Sequence, residues 1–132
     1  MVDLQKNTGP NMKVAEYKKL VKPREADIQH EIMAYLENDG YYVQRLNAGG
    51  YKLGKGFVHG VKGGTPDLMA FKCQDDFCNA PIGDCDIDLV FVEVKRPGGI
   101  VSELQIQKIK ELENYGARCI VVHSVEELEE KL

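Results

Sequence analysis

The sequence predicts a small α/β sandwich, in which helices pack on a mixed sheet with the core order αβββαβ. Segments whose apolar residues have helical spacing alternate with segments rich in β-forming residues. The strongest strand pattern, at residues 87–95, ends at a Pro-Gly-Gly break and is followed by another helical segment. The length of 132 residues corresponds to one domain.

The first helix is predicted over residues 24–39, because Pro23 fits a first helical turn and Gly40 fits a C-terminal cap. Its apolar residues recur at helical spacing: Ile28, Ile32, Tyr35 and Leu36. Residues 1–22 show only weak periodicity and are predicted to form an N-terminal arm. The folded domain is therefore predicted to span residues 23–132.

Four strands and two further helices complete the predicted fold. The strands are placed at residues 41–47, 67–73, 87–95 and 118–122. Residues 48–65 contain many glycines and are expected to form either a flexible loop or a short hairpin. Residues 74–86 form a polar excursion between two strands. Ser102 begins a second helix that ends near Tyr115, and Ser124 begins a third.

The composition is typical of a soluble globular domain, with 43% hydrophobic and 29% charged residues. No apolar run approaches the roughly 18 residues of a membrane-spanning helix, and no signal region is visible. We therefore expect a cytoplasmic protein without a membrane partner.

The net charge of −4 argues against a uniformly basic nucleic-acid-binding surface. However, carboxylates that hold a cation are counted as negative in the net charge although the cation neutralises them. In addition, Lys52, Lys55 and Lys62 cluster in the glycine-rich stretch.

The chain contains four cysteines. In a cytoplasmic protein, free thiols are expected rather than disulfides. Cys73, Cys78 and Cys85 cluster along the chain without a C-x-x-C spacing, which leaves a zinc site among them as an alternative. Cys119 lies in an apolar strand and is expected to be a core residue.

Charged side chains share one face of the strand at residues 87–95. Because side chains alternate along a strand, Glu93 and Lys95 lie together on a face that is otherwise apolar. Such charges are costly in a central strand unless they are paired or bind a metal. By itself, the Glu93–Lys95 pair fits the frayed end of an edge strand better than it fits an active centre. However, a Gly-Gly-Thr-Pro segment leads into Asp67, and a hairpin of the second and third strands would place Asp67 opposite Glu93. Two such carboxylates suit Mg²⁺, which can activate a water molecule and polarise a phosphoryl oxygen. Lys95 would orient the water that attacks the phosphoryl group.

Two helical residues are further candidates, and each has a structural alternative. Glu25 lies on the buried face of the first helix and is either a third acid of the metal site or a first-turn acid favoured by the helix dipole. Glu31, on the flank of the helix, is the weaker candidate. The predicted buried face of the second helix contains Leu104, Ile109, Leu112 and Tyr115. Gln105 falls near the middle of this face, where it either reaches the active centre or completes a capping box with Ser102.

Taken together, these residues resemble the virus-type replication-repair nuclease family, a branch of the Pro-Asp-(Asp/Glu)-x-Lys superfamily. The resemblance covers residues 24–122. It rests on the segments 25–29, 64–67 and 93–95, followed by Ser102 and Gln105. The complete ordered set is far more specific than any single part, and the element order is similar to the restriction-endonuclease-like core of the superfamily.

The resemblance implies a metal-dependent endonuclease that cuts DNA with metal-activated water. The residues it implies for the site are Asp67, Glu93, the Val94 carbonyl, Lys95, Gln105 and Glu25. The two strand carboxylates and the carbonyl would bind Mg²⁺ or Mn²⁺, and the lysine would be catalytic. The helical residues would correspond to the N-terminal acid and the motif glutamine of the family.

Stand-alone members of this family look like small phage proteins and resemble Holliday-junction resolvases in forming homodimers. Branched DNA is therefore a candidate substrate, in the cytoplasm of a host cell if the protein comes from a phage. The candidate DNA-binding residues are Lys52, Lys55, Lys62 and Arg96. The rival functions are a catalytically silent DNA-binding module, a zinc-containing interaction protein and an enzyme that acts on RNA. The excursion at residues 74–86 is longer than a tight hairpin and departs from the family pattern.

Overall fold

The computed structural model describes residues 23–46, 50–75 and 78–132. Its helices are α1 (Glu25–Asn38), α2 (Glu103–Asn114) and α3 (Val125–Lys131). Its strands are β1 (Tyr42–Arg45), β2 (Gly50–Leu53), β3 (Gly56–His59), β4 (Leu68–Cys73), β5 (Ile87–Val94) and β6 (Arg118–Val122). None of these helices is long and apolar enough to cross a membrane. The predicted arm at residues 1–22 lies outside the described residues, so the domain boundary stays a prediction.

Four strands form one mixed sheet in the order β1-β4-β5-β6. β4 pairs antiparallel with β1 and β5, whereas β5 and β6 pair in parallel because α2 connects them. This arrangement confirms the predicted α/β class and mixed sheet. β2 and β3 form a separate antiparallel pair, so the glycine-rich stretch contains the short hairpin.

Alternation along β5 separates an apolar face of the sheet from a face that contains charged residues. Val90, Val92 and Val94 are fully buried on the first face. The core cluster also contains Ile28, Ile32, Leu36, Tyr41, Leu68, Ala70, Val122 and Leu128. These residues come from α1, α3, the strands β4 and β6 and the segment before β1, and their removal from water stabilises the domain. Glu93, which lies between two of the valines, projects to the opposite face, where α2 packs beside β6.

The predicted buried face of α2 is only partly correct. Ile109 and Leu112 are half-buried, but Leu104 is 57% exposed and Tyr115 is 87% exposed. The reason is that α2 packs on β6, which is the edge strand of the sheet, so the two ends of its apolar stripe do not reach the core. The helix therefore presents apolar side chains to solvent.

The expectation of free thiols is wrong for one pair of cysteines. Cys73, the last residue of β4, and Cys85, two residues before β5, form a disulfide with a Cα–Cα distance of 6.3 Å. The antiparallel register places Cys73 opposite Ile87 and brings the two thiols together. Cys78 and Cys119 are free, and Cys119 is half-buried rather than fully in the core.

Candidate active site

The hairpin of β4 and β5 brings Asp67 and Glu93 to the same end of the sheet. Asp67 immediately precedes β4, and the register that pairs Leu68 with Val92 places Asp67 beside the end of β5. The Val94 backbone N–H donates a hydrogen bond of 2.8 Å to Asp67 Oδ2. This bond fixes a half-buried carboxylate at the strand end. The position of Asp67 opposite Glu93 follows from the pairing of the two strands, as expected for such a hairpin.

Glu93 is the most deeply buried acid of the site, with 2% of its surface exposed. Its Oε1 accepts a 2.8 Å hydrogen bond from Gln105 Nε2 and lies 3.5 Å from Lys95 Nζ. Its Oε2 is buried and has no hydrogen-bond partner among the described residues. Because a buried carboxylate oxygen without a partner is costly, this atom is suited to receive a cation. The residues present therefore fit a divalent metal.

Burial raises the pKa values of both carboxyl groups and makes them harder to ionise, and a neighbouring negative charge adds to this effect in each case. Burial raises the pKa of Glu93 to about 7, the negative charge of Asp67 adds to this effect, and Lys95 opposes it. Burial also raises the pKa of Asp67, while its hydrogen bond from the Val94 amide opposes the rise. A bound divalent cation would relieve this repulsion and favour both ionised forms.

Gln105 makes both of the contacts that the sequence offered as alternatives. The Ser102 N–H donates to Gln105 Oε1 at 2.9 Å, and the Gln105 N–H donates to Ser102 Oγ at 3.2 Å, which completes a capping box. The Nε2 of the same amide donates to Glu93. The start of α2 is therefore joined directly to the buried carboxylate.

Glu25 contributes charge to the site from the opposite layer of the fold. It is half-buried in the first turn of α1, whereas Glu31 is exposed. Burial is the main cause of the raised pKa values of Asp67 and Glu93, and the charge of Glu25 adds to both. However, the only described His, Cys, Asp or Glu residues that place three ligand atoms within 4.8 Å of one another are the clustered cysteines. The three acids therefore do not meet that closely.

A comparison with protein families decides what kind of domain this is. The family model of the VRR-NUC domain matches residues 24–126, most of the chain. The chain belongs to the VRR-NUC family. Membership implies a nuclease in a general sense, with DNA as substrate and with use of a divalent metal. Comparisons with curated proteins and with solved structures find no match.

The VRR-NUC domain of this chain holds the loop before Asp67 against the first turn of α2. Gly64 has a φ of +80°, and a Cβ atom at this position would lie 2.7 Å from the Leu104 backbone oxygen. A side chain is therefore excluded both by the backbone conformation and by the close approach of α2. Gly64 therefore allows the first turn of α2 to come close to the segment that leads into Asp67.

The four candidate DNA-binding residues of the VRR-NUC domain are exposed: Lys52, Lys55, Lys62 and Arg96. Lys52 and Lys55 belong to the β2–β3 hairpin, while Arg96 follows Lys95 at the end of β5. Hydrogen bonding and charge from Lys108 lower the pKa of Glu111, and the charge of Lys62 contributes to this. Lys62 therefore lies near the outer side of α2.

Gln29 is a buried polar residue that was not among the predicted site residues of the VRR-NUC domain. It is 9% exposed, and its buried Oε1 has no hydrogen-bond partner among the described residues. It lies one helical turn after Glu25, between Ile28 and Ile32 of the core. A polar residue beside the apolar stripe of α1 was the available signal, and the missing partner makes Gln29 a further candidate.

Proposed function

We propose that this VRR-NUC domain is a Mg²⁺- or Mn²⁺-dependent DNA endonuclease that acts in DNA replication or repair and prefers branched DNA. The observation that supports the metal most directly is the unpartnered, buried Oε2 of Glu93. This atom lies in a site where a second carboxylate, Asp67, already raises the pKa of Glu93 beyond the main effect of burial. A fold that only binds DNA gains nothing from this unfavourable concentration of negative charge.

Asp67 and Glu93 would hold the divalent ion, with the Val94 backbone carbonyl as a further ligand. When bound, the ion polarises the phosphodiester and lowers the pKa of the attacking water. The Val94 N–H orients the Asp67 carboxylate, and the Gln105 amide orients Glu93. Both ligands are therefore held in place before substrate binds.

Lys95 would act on the nucleophile and on the transition state. Its ammonium group lies 3.5 Å from Glu93 Oε1, and its side chain is 16% exposed, so it borders the site rather than open solvent. From this position it would orient the attacking water and stabilise the negative charge that develops on the phosphate oxygens. Glu25 would adjust the site through its charge, since burial and Glu25 together raise the pKa values of both strand carboxyl groups.

The DNA backbone would be bound by Lys52 and Lys55 of the hairpin, together with Lys62 and Arg96. Their exposed cationic side chains can neutralise phosphates and release counterions. Their contribution is to position the duplex rather than to select a sequence. This division explains how an acidic chain with a net charge of −4 can bind DNA.

A homodimer is part of this proposal, because the face of the sheet beyond α2 is apolar and open. A cavity of about 490 Å³ on this face is lined by Met69, Phe71, Ile87, Leu89, Tyr115, Gly116 and Ala117. Ile87 is 55% exposed and Tyr115 is 87% exposed. A second copy of the chain would cover this surface and bring two active centres to one branched substrate. Light scattering that shows only monomer at micromolar concentration would contradict the dimer.

The proposed activity is tested with labelled linear, flap and four-way-junction DNA, each with Mg²⁺, Mn²⁺ or EDTA. Native protein is expected to cut in the presence of either metal, to cut the junction fastest and to be inactive in EDTA. The Asp67→Asn variant is expected to bind the same DNA without cutting it. Native protein that binds DNA but cuts none of the substrates would contradict the proposal and favour a DNA-binding module. Cutting of matched RNA instead of DNA would overturn the assigned substrate.

A further inference from the structure

The connection between β4 and β5 brings three cysteines together at the far end of the sheet from Asp67. The Sγ atoms of Cys73, Cys78 and Cys85 all lie within 4.8 Å of one another. A backbone hydrogen bond of 3.1 Å joins the Cys78 N–H to the Asp75 carbonyl. Another, from the Gln74 N–H to the Asp86 carbonyl at 2.9 Å, closes the base of the connection.

We propose that Cys73, Cys78 and Cys85 bind a structural Zn²⁺ ion in the reduced protein. Thiolate sulfurs bind zinc at about 2.3 Å in tetrahedral sites, which places neighbouring sulfurs about 3.8 Å apart. In the oxidised state Cys73 and Cys85 are bonded to each other, and the Cys78 sulfur lies within 4.8 Å of both. Reduction would free the bonded pair to separate to the zinc spacing, at the ends of a connection that the β4–β5 ladder holds together. After reduction, side-chain rotations at these three positions would bring the thiolates around one ion.

The charge around the sulfurs favours a cation. The segment at residues 74–86 contains four aspartates and no lysine or arginine. Three of these aspartates line the same cavity of about 300 Å³ as the cysteines: Asp75, Asp84 and Asp86. One of their carboxylates, or a water molecule, would complete the tetrahedron. Oxygen and sulfur ligands of this kind suit zinc, whereas Mg²⁺ prefers oxygen ligands alone.

The disulfide between Cys73 and Cys85 and the zinc ion are mutually exclusive states of the same site. The disulfide is broken when a cellular thiol or an added dithiol donates two electrons, and the donor is itself oxidised to a disulfide. The three thiols then release their protons as the metal binds the thiolates. Zinc would therefore occupy the site in a reducing compartment, and the disulfide would replace it under oxidation.

The proposed zinc site is separate from the nuclease centre. Cys73 ends β4 while Asp67 precedes its first residue, so the two sites are about 20 Å apart along the strand. The role of the ion would be to close the long connection and to hold the β4–β5 register. Zinc binding at the cysteines is independent of the nuclease activity.

The test uses the full chain, purified with a non-chelating reductant and without added chelator. Zinc is measured by elemental analysis, and the apoprotein is titrated with Co²⁺ as a spectroscopic probe. The native protein is expected to contain about one zinc ion per chain and to give the charge-transfer and d–d bands of tetrahedral cobalt thiolate. The Cys78→Ser variant should lose both signals, whereas the matched Cys119→Ser control should keep them, because Cys119 lies outside the cluster.

A second measurement needs no variant and therefore does not depend on how well Cys78→Ser folds. Zinc bound to the native protein should slow the formation of the Cys73–Cys85 disulfide by oxidised glutathione, as measured by mass spectrometry of alkylated thiols. Reduced native protein that binds no zinc or cobalt would overturn the proposal. Undiminished cobalt bands in a folded Cys78→Ser variant, or unchanged oxidation in the presence of zinc, would also overturn it.

Discussion

The side chain of Gln105 connects the N-terminus of α2 to the buried carboxylate of Glu93. Its Oε1 accepts from the Ser102 N–H, and its Nε2 donates to Glu93 Oε1. One amide thus completes a helix cap and orients a candidate metal ligand. Partners that orient a metal ligand in this way are important for metal affinity and activity.

The two roles of Gln105 can be separated by mutation. Gln105→Ala is expected to lower the free energy of unfolding by about 1 kcal/mol through loss of the cap and to lower the cleavage rate about 10- to 100-fold. The matched control Ser102→Ala removes the cap bond but not the donor to Glu93, so it should lose similar stability and little activity. Thermal unfolding and single-turnover cleavage measure the two effects. If the Gln105→Ala variant cuts DNA at the native rate, Gln105 acts only as a capping residue.

Glu93→Gln should abolish metal binding without unfolding the domain. The neutral amide removes a buried charge whose Oε2 has no partner, so stability in EDTA is expected to equal or exceed that of the native protein. Mg²⁺ or Mn²⁺ should raise the Tm of the native protein, because a ligand that binds only the folded state stabilises it. The same ions should leave the Tm of Glu93→Gln unchanged. A metal-induced rise of equal size in the variant would place the ion elsewhere.

The stability of the metal-free protein should fall as the pH rises toward neutrality. Burial, together with the charge of Asp67, raises the pKa of Glu93 from 4.5 to about 7. Between these values the folded state binds more protons than the unfolded state, so the free energy of unfolding decreases with increasing pH. The Tm in EDTA should therefore decline more steeply from about pH 5 to about pH 7.5 for the native protein than for Glu93→Gln. Equal slopes for the two proteins would contradict the raised pKa.

A side chain at Gly64 should be more destabilising than one at a glycine with positive φ alone, because two constraints coincide there. Gly64→Ala combines a positive φ with a Cβ position 2.7 Å from the Leu104 backbone oxygen. Gly116→Ala is the matched control, since its φ is +93° but its Cβ would meet nothing within 4 Å. We expect about 1 kcal/mol of destabilisation in the control from backbone strain and at least about twice as much in Gly64→Ala. Equal losses, measured by chemical unfolding, would show that the contact with α2 adds nothing.

The order of the elements could be predicted from the sequence because the decisive signals are local. Side-chain alternation along β5 placed Glu93 and Lys95 on one face, and the capping pattern placed the start of α2 at Ser102. The prediction that Asp67 lies opposite Glu93 required the additional assumption that β4 and β5 pair. The register of the sheet agrees with this assumption. The catalytic roles of these residues remain proposals.

Features that depend on tertiary packing could not be predicted in this way. The exposure of Leu104 and Tyr115 follows from the placement of α2 on the edge strand, which helical spacing does not specify. The Cys73–Cys85 disulfide follows from the strand register, because spacing alone does not reveal which thiols meet. The double role of Gln105 was not predicted, because the cap with Ser102 and the contact with the active centre were treated as alternatives.

The assignment of Lys95 to a metal-dependent phosphodiesterase centre is tested by the single-turnover cleavage rate at saturating enzyme and Mg²⁺. Lys95→Met is compared with Lys110→Met, a control at an exposed lysine of α2. We expect a rate about 10²- to 10³-fold below native for Lys95→Met, with unchanged DNA affinity, and a near-native rate for the control. A native rate for Lys95→Met, or an equal loss in both variants, would show that Lys95 has no catalytic role.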